Sequence, residues 1–328
     1  MNEVRIDALL PPEMATRAEY LGVRKAEMPF LKMFMLSVLA GAFISLGAVF
    51  ATTIGAGGMS VASPDGSIVF NTGLPYGVTR LLMGLVFSLG LILVVVGGAE
   101  LFTGNNLIVM AWANGKVTAR ALLRNWAIVY LGNFVGSIGT VVLMFLSRQY
   151  TFGANSVGIT ALKIGVAKVE FTFLQAIALG ILCNALVCLA VWLTYSARST
   201  LDKILAIIFP ITAFVAAGFE HSIANMYFIP YALFIKQFDP AFIATAGGAV
   251  THLDLLTWQA FLLKNLIPVT VGNIIGGTVL VAAVYWAIFL RPDQSQSRST
   301  HESIRLDQNA PGRSQGSGAA VAQNPERH

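Results

Sequence analysis

Of the four histidines in the chain, only His221 lies inside a hydrophobic run; His252 falls in a loop, and His301 and His328 in a polar tail. A solitary histidine among apolar residues is usually a packed core residue. His221 differs because Glu220 precedes it and because a second acid, Glu100, stands near the middle of another hydrophobic run. Two chemistries fit such carboxylates. They could bind cations, or they could accept backbone N–H groups released where a helix breaks. The two acids occupy like surroundings, which favours the second reading. An imidazole at such a break is suited to donating hydrogen bonds or relaying protons. Haem held between two histidines is excluded, and the apolar runs contain neither HExxH nor GxSxG. No enzyme activity, cofactor or metal is therefore expected. Cys183 and Cys188 share one apolar run and are expected to pack as small hydrophobes.

The elements that hold these residues follow from composition. Apolar residues make up 56% of the 328-residue chain and charged residues 11%, against about 25% charged in a soluble domain. Such a chain cannot cover its surface with polar groups, so much of that surface must meet lipid. The net charge of +5 does not point to nucleic acid, because the basic residues flank hydrophobic runs and populate the tail, as span anchors do. The first 30 residues are polar, with no cleavable signal pattern, and Glu13 to Lys25 reads as an amphipathic helix on the membrane surface. Hydrophobic runs follow at Leu31–Thr53, Leu81–Ala113, Ala121–Leu146, Phe171–Tyr195, Lys203–Ile235 and Trp258–Leu290. A loop carrying Lys163 and Lys168 separates the third from the fourth. Three segments result: 1–30 on the cytoplasmic face, a membrane domain over 31–291, and a disordered cytoplasmic tail over 292–328.

The second and fifth runs exceed the ~20 residues that cross a bilayer, and these two carry the acids. A span broken at its centre, with irregular backbone lining a cavity, accommodates both facts. The two breaks resemble each other. Gly98-Ala-Glu100-Leu-Phe-Thr103-Gly-Asn105 and Gly218-Phe-Glu220-His221-Ser-Ile-Ala-Asn225 share glycine, glutamate and asparagine at one spacing. Downstream, Asn125, Gly132, Asn133 and Gly136 match Asn265, Gly272, Asn273 and Gly276. Three spans per repeat invert the second half relative to the first. The predicted fold is an all-α membrane protein of six transmembrane helices, an inverted 3+3 repeat with the second and fifth helices broken. Gly98 and Gly218 are assigned to the breaks, and the later glycine pairs to close helix packing. The counterpart of His221 is Leu101, an asymmetry that points to function. Short basic loops favour both termini in the cytoplasm of a multi-pass inner-membrane protein.

These stretches, with Gly180 to Asn184 and the opening Ala8-Leu-Leu-Pro-Pro, resemble the formate/nitrite transporter family from about residue 6 to 291. The resemblance implies an aquaporin-like protomer in a homopentamer, with one pathway each for a small anion. It implies that His221 and Thr103 face each other at the centre, with Asn184 hydrogen-bonded to the histidine. A cytoplasmic constriction of Leu101, Val187 and Phe214 and an outer one of Phe87 and Leu91 are expected. Lys168 would attract anions, Glu220 and Asn225 would support the centre, and Glu100 and Asn105 would brace the first break. Formate is the favoured substrate, with nitrite, hydrosulfide, acetate or lactate as alternatives and a neutral-solute channel as a rival class. That rival predicts two Asn-Pro-Ala signatures, which the chain lacks.

Overall fold

The computed structural model describes residues 8–57, 60–62, 68–71 and 73–291. Among these, six helices are long and apolar enough to cross a membrane. They are α2 (Phe30–Gly55), α3 (Tyr76–Gly97), α5 (Ala119–Leu146), α7 (Phe173–Ser196), α8 (Thr200–Ala217) and α11 (Ala260–Phe289). Shorter helices complete the fold: α1 (Pro11–Ala26), α4 (Val109–Ala113), α6 (Ser156–Val169), α9 (Ser222–Phe238) and α10 (Pro240–Ala246). Between α2 and α3 two short strands, β1 (Ser60–Ala62) and β2 (Ile68–Asn71), pair antiparallel with Ser60 opposite Asn71. The expected tail, 292–328, lies outside the described residues.

Local chemistry sets the helix starts. Pro11 and Pro12 open α1, and Glu13 Oε2 accepts the Leu10 N–H at 2.9 Å. Thr118 caps α5 and Thr172 caps α7 through their hydroxyls. Ser199 and Asp202 cap each other's backbone N–H at the head of α8, at 3.1 and 2.9 Å. Each such cap satisfies N–H groups that a helix start leaves free.

The packing repeats in two halves. Helix α2 lies on α3 and α5 as α7 lies on α8 and α11, and α3 crosses α8 at the centre. Close approach at the outer pairs depends on small residues: a Cβ at Gly136 would run into the Val38 carbonyl of α2, and one at Gly276 into the Ile181 carbonyl of α7.

One expectation changes: the segment carrying Lys163 and Lys168 is a helix, α6, rather than a loop. Helix α1, expected as an amphipathic surface helix, lays one face on the spans, within the same compact unit. Its Met14, Ala15, Ala18, Gly22 and Ala26 are buried. The reason is that α1 and α6 are counterparts, each preceding the first span of its half. Ala18, Gly22, Val23 and Lys25 recur at the same spacing as Ala161, Gly165, Val166 and Lys168. The repeat therefore begins one helix earlier than the hydrophobic runs suggest.

In the connection after α10, His252 adopts a left-handed φ of 55° and its Nδ1 lies 2.5 Å from Glu170 Oε1. The hydrogen bond and the charge of Glu170 raise the His252 pKa above its usual value. A raised folded-state value stabilises fully below the unfolded pKa of about 6.5 and fades as pH rises through the folded one. An NMR titration of His252 is expected to give a midpoint above 6.5, which Glu170→Gln returns toward 6.5. An unshifted wild-type midpoint would contradict the pairing.

Candidate functional site

Both breaks are built alike. Helix α3 ends at Gly98 (φ 79°) and α8 at Gly218 (φ 78°), each in the left-handed region that favours glycine. The next N–H folds back in both halves: Ala99 donates to the Val94 carbonyl at 2.9 Å and Phe219 to the Phe214 carbonyl at 3.0 Å. The chain then leaves its own helix for a neighbour. Glu100 N–H donates to the Leu36 carbonyl of α2 at 3.2 Å, and Glu220 N–H to the Leu179 carbonyl of α7 at 3.3 Å.

Backbone groups freed at the breaks are held by asparagines rather than by the acids. Asn133 Oδ1 accepts the Phe102 N–H at 3.0 Å, while its Nδ2 donates to the carbonyls of Glu100 and Ser37. Asn273 does the same for Ser222, Glu220 and Gly180. This corrects the expected role of Glu100 and Glu220. Their carboxylates accept from lysine and asparagine side chains instead. Lys25 donates to Glu100 at 2.7 Å and Lys168 to Glu220 at 2.7 Å. Asn105 and Asn225 add bonds of 2.8 and 2.7 Å. Asn105 in turn donates to Asn125 and Asn225 to Asn265; Asn125 and Asn265 then donate to the carbonyls of Lys25 and Lys168. Charged groups in so apolar a body are tolerated when paired and hydrogen-bonded throughout.

At the centre the symmetry fails. Thr103 Oγ1 and His221 Nε2 are 2.9 Å apart, and both residues are buried. His221 is also the N-cap of α9, its Nδ1 accepting the Ala224 N–H at 3.1 Å. A nitrogen that accepts a backbone N–H carries no proton, so in this arrangement the ring proton sits on Nε2 and is donated to Thr103. The positive end of the α9 dipole points at the same spot. Asn184 does not reach the histidine, contrary to expectation. Its Nδ2 contacts Asn106 Oδ1 at 2.7 Å and the carbonyls of Asn273 at 2.7 Å and Thr103 at 3.3 Å, so it fixes the segment that presents Thr103.

Cavities open on either side. One, of about 280 Å³, is lined by Lys168, Glu220, His221, Arg80, Phe87, Phe214 and Phe228. The other, of about 320 Å³, is lined by Lys25, Glu100, Arg17, Lys203, Leu91, Leu101 and Val191. Phe214 stacks on the imidazole with ring centres 5.9 Å apart, Phe87 meets Phe214 edge-on at 5.7 Å, and Lys168 Nζ lies 5.3 Å from the centre of the Phe228 ring. Among the described residues no three His, Cys, Asp or Glu side chains cluster as a metal site would require.

Residues 12–287 match the family defined as formate/nitrite transporter. The chain belongs to that family. It is 47% identical over 287 residues to the formate channel FocA of Escherichia coli strain K12, covering 87% of this chain and 96% of that one. The formate channel FocA of Haemophilus influenzae is 41% identical over 84% of this chain and 92% of its own. Among solved structures, a pentameric formate channel with formate bound matches with a TM-score of 0.70 at 46% identity, covering 80% of this chain and 98% of that one. An FNT family ion channel matches with a TM-score of 0.66 at 27% identity, over 84% and 98%.

Within this family member the two constrictions group differently from the expectation. Phe214 joins Phe87 beside His221, and Leu91 joins Leu101 in the Lys25 cavity. Phe214 falls early in the run Lys203–Ile235, and reading that run as one outward-running fifth span assigns it to the cytoplasmic side. Because α8 ends at Ala217, Phe214 is in fact in its last turn, about 20 Å along the axis from Thr200. Val187 is buried on α7 and lines neither cavity. Sequence reading gave no site role to Lys25, Asn133, Asn273, Asn125, Asn265, Arg80 or Phe228. The spacing shared by α1 and α6 could have revealed Lys25; nothing in sequence distinguishes Arg80 or Phe228 from interface anchors.

Proposed function

We propose that this transporter family member is a homopentameric channel of the cell inner membrane that passes formate, one pathway per protomer, between the two cavities and past Thr103 and His221. The observation that carries the reading is the Thr103–His221 contact of 2.9 Å between two cavities, both bounded by apolar rings. The relatives named as formate channels support the substrate, and the pentameric relative supports the assembly. The short connections after α4 and α7 carry Lys116 and Arg198, and Arg120 sits in the first turn of α5. They favour a cytoplasmic Lys25 cavity, both termini cytoplasmic, and a Lys168 cavity that faces outward.

The lining charges suit an anion. Arg80 and Lys168 against Glu220 leave one net positive charge outside; Arg17, Lys25 and Lys203 against Glu100 leave two inside. Lys168 is neutralised by Glu220, so it attracts as part of this cluster rather than alone. An ion entering the rings of Phe87 and Phe214, or of Leu91 and Leu101, loses hydration without new partners, which opposes its charged form. A weak acid escapes this by taking a proton, since low dielectric raises its pKa. Capped at Nδ1, His221 donates a hydrogen bond from Nε2 toward the centre. To give up a proton itself it would first have to gain one at Nδ1 and release the α9 cap, which costs about 1 kcal/mol. A proton delivered from the bulk solution through the vestibule avoids that cost, while the imidazole steadies the anion before protonation.

In proteoliposomes, His221→Phe keeps an aromatic ring but removes the donor. Formate and nitrite uptake are expected to fall about tenfold, the factor that one charge-assisted hydrogen bond of about 1.4 kcal/mol supplies. Wild-type uptake rates in this variant, assembled normally, would refute the central role of the imidazole.

A further inference from the structure

Arg80 is the cation of the outer cavity that has no acidic partner among the described residues. Among the described residues its guanidinium makes contact only with the end of α8: Nη2 donates to the Val215 carbonyl and Nε to the Ala216 carbonyl, the latter at 3.3 Å. No carboxylate lies within ion-pair distance of it among the described residues. Lys168, the other cation in this cavity, is held by Glu220 at 2.7 Å. Among the described residues that line this cavity, the unneutralised positive charge therefore belongs to Arg80.

The geometry of those two bonds matters more than the charge. Nε and Nη2 form one edge of the planar guanidinium, and both are spent on carbonyls that end a helix, where a cation is favoured. They fix the plane of the group. The N–H groups of Nη1 and the second N–H of Nη2 remain, and these form the end-on fork that matches two coplanar oxygens. Arg80 also lies at the break itself, since a Cβ at Gly218 would be 3.5 Å from its Nη2. The imidazole of His221, three residues further on, lines the same cavity.

We propose that Arg80 forms an outer docking subsite for small planar oxyanions, taking the two oxygens of a carboxylate or of nitrite on its free fork before the anion passes to His221. This rests on the transport reading above. The subsite distinguishes anions by shape. A formate or nitrite ion offers two oxygens to the fork, whereas hydrosulfide offers one atom and gains only the charge. A lysine at this position would supply the charge without the fork.

The test compares wild type with Arg80→Lys in proteoliposomes, measuring initial uptake of formate, nitrite and hydrosulfide against concentration. The apparent KM for formate and nitrite is expected to rise about tenfold, the value of one lost bidentate contact, while that for hydrosulfide stays within about twofold. An equal change for all three, or none, overturns the subsite and assigns Arg80 to capping α8. A second measurement needs no variant. Arginine modification of the wild-type protein by phenylglyoxal, read at Arg80 by mass spectrometry, is expected to slow with added formate or nitrite and not with chloride. Equal labelling in all three salts overturns the proposal as well. The transport reading fails separately, if wild type carries no formate.

Discussion

Asn273→Ala is expected to cost about 3 kcal/mol or more and to prevent recovery of assembled protein, although the side chain removed is small and uncharged. Asn273 holds three backbone groups at once: it accepts from Ser222 N–H at 2.9 Å and donates to the carbonyls of Gly180 and Glu220, both at 2.9 Å. It is fully buried. Removing it leaves the Ser222 N–H and the Glu220 carbonyl without partners inside the protein, at about 1–3 kcal/mol for each group, while the Gly180 carbonyl keeps its place in the α7 ladder. Asn133→Ala is expected to act alike, because Asn133 does the same work in the first half. Thermal dissociation in detergent, followed by size-exclusion chromatography, measures both. If either alanine variant assembled with wild-type resistance to heat, the breaks would not depend on these asparagines.

Glu220→Gln should destabilise by about 3 kcal/mol, since it strands the Lys168 ammonium against an amide. Glu220 accepts from Lys168, Asn225 and Asn265, and Lys168 retains little solvent contact, with 14% of its side chain exposed. The double variant Lys168→Met, Glu220→Gln is expected to recover part of the loss, because it removes the stranded ammonium and leaves a neutral amide that Asn225 and Asn265 can still bond. Losses that simply add in the double variant would mean that the two charges do not depend on each other. The matching Glu100→Gln should be milder, because Lys25 keeps 27% of its side chain in contact with solvent.

These two predictions concern the symmetric scaffold, and the sequence carried most of that scaffold. The low proportion of charge required lipid, the over-long second and fifth runs with their acids required breaks, and the matched glycine, glutamate and asparagine spacings required two copies of one unit. Spacing along one chain segment was enough because each of these features is local. The structure added the earlier limit of the repeat, since α1 and α6 are too weakly apolar to read as spans and their four shared residues sit far apart in the chain.

Function resides where the two copies differ, and only part of that could be read in advance. His221 opposite Leu101 was visible as an asymmetry. Thr103 opposite Ile223 follows from the same aligned spacing, whereas Asn184 became visible only through the hydrogen bonds that match α7 to α2, where the first half has Gly41. The amino-acid sequence by itself determined the membrane class, the span count, the two breaks and the histidine. Tertiary structure alone decided that asparagines, and not the acids, hold the freed backbone, that each acid meets a lysine from a distant helix, and that Phe214 belongs with Phe87. The physical reason is reach. A carboxylate, an amide and an aromatic ring can each satisfy several partners, and which one lies within 3 Å depends on how inverted halves cross, a quantity no local spacing encodes.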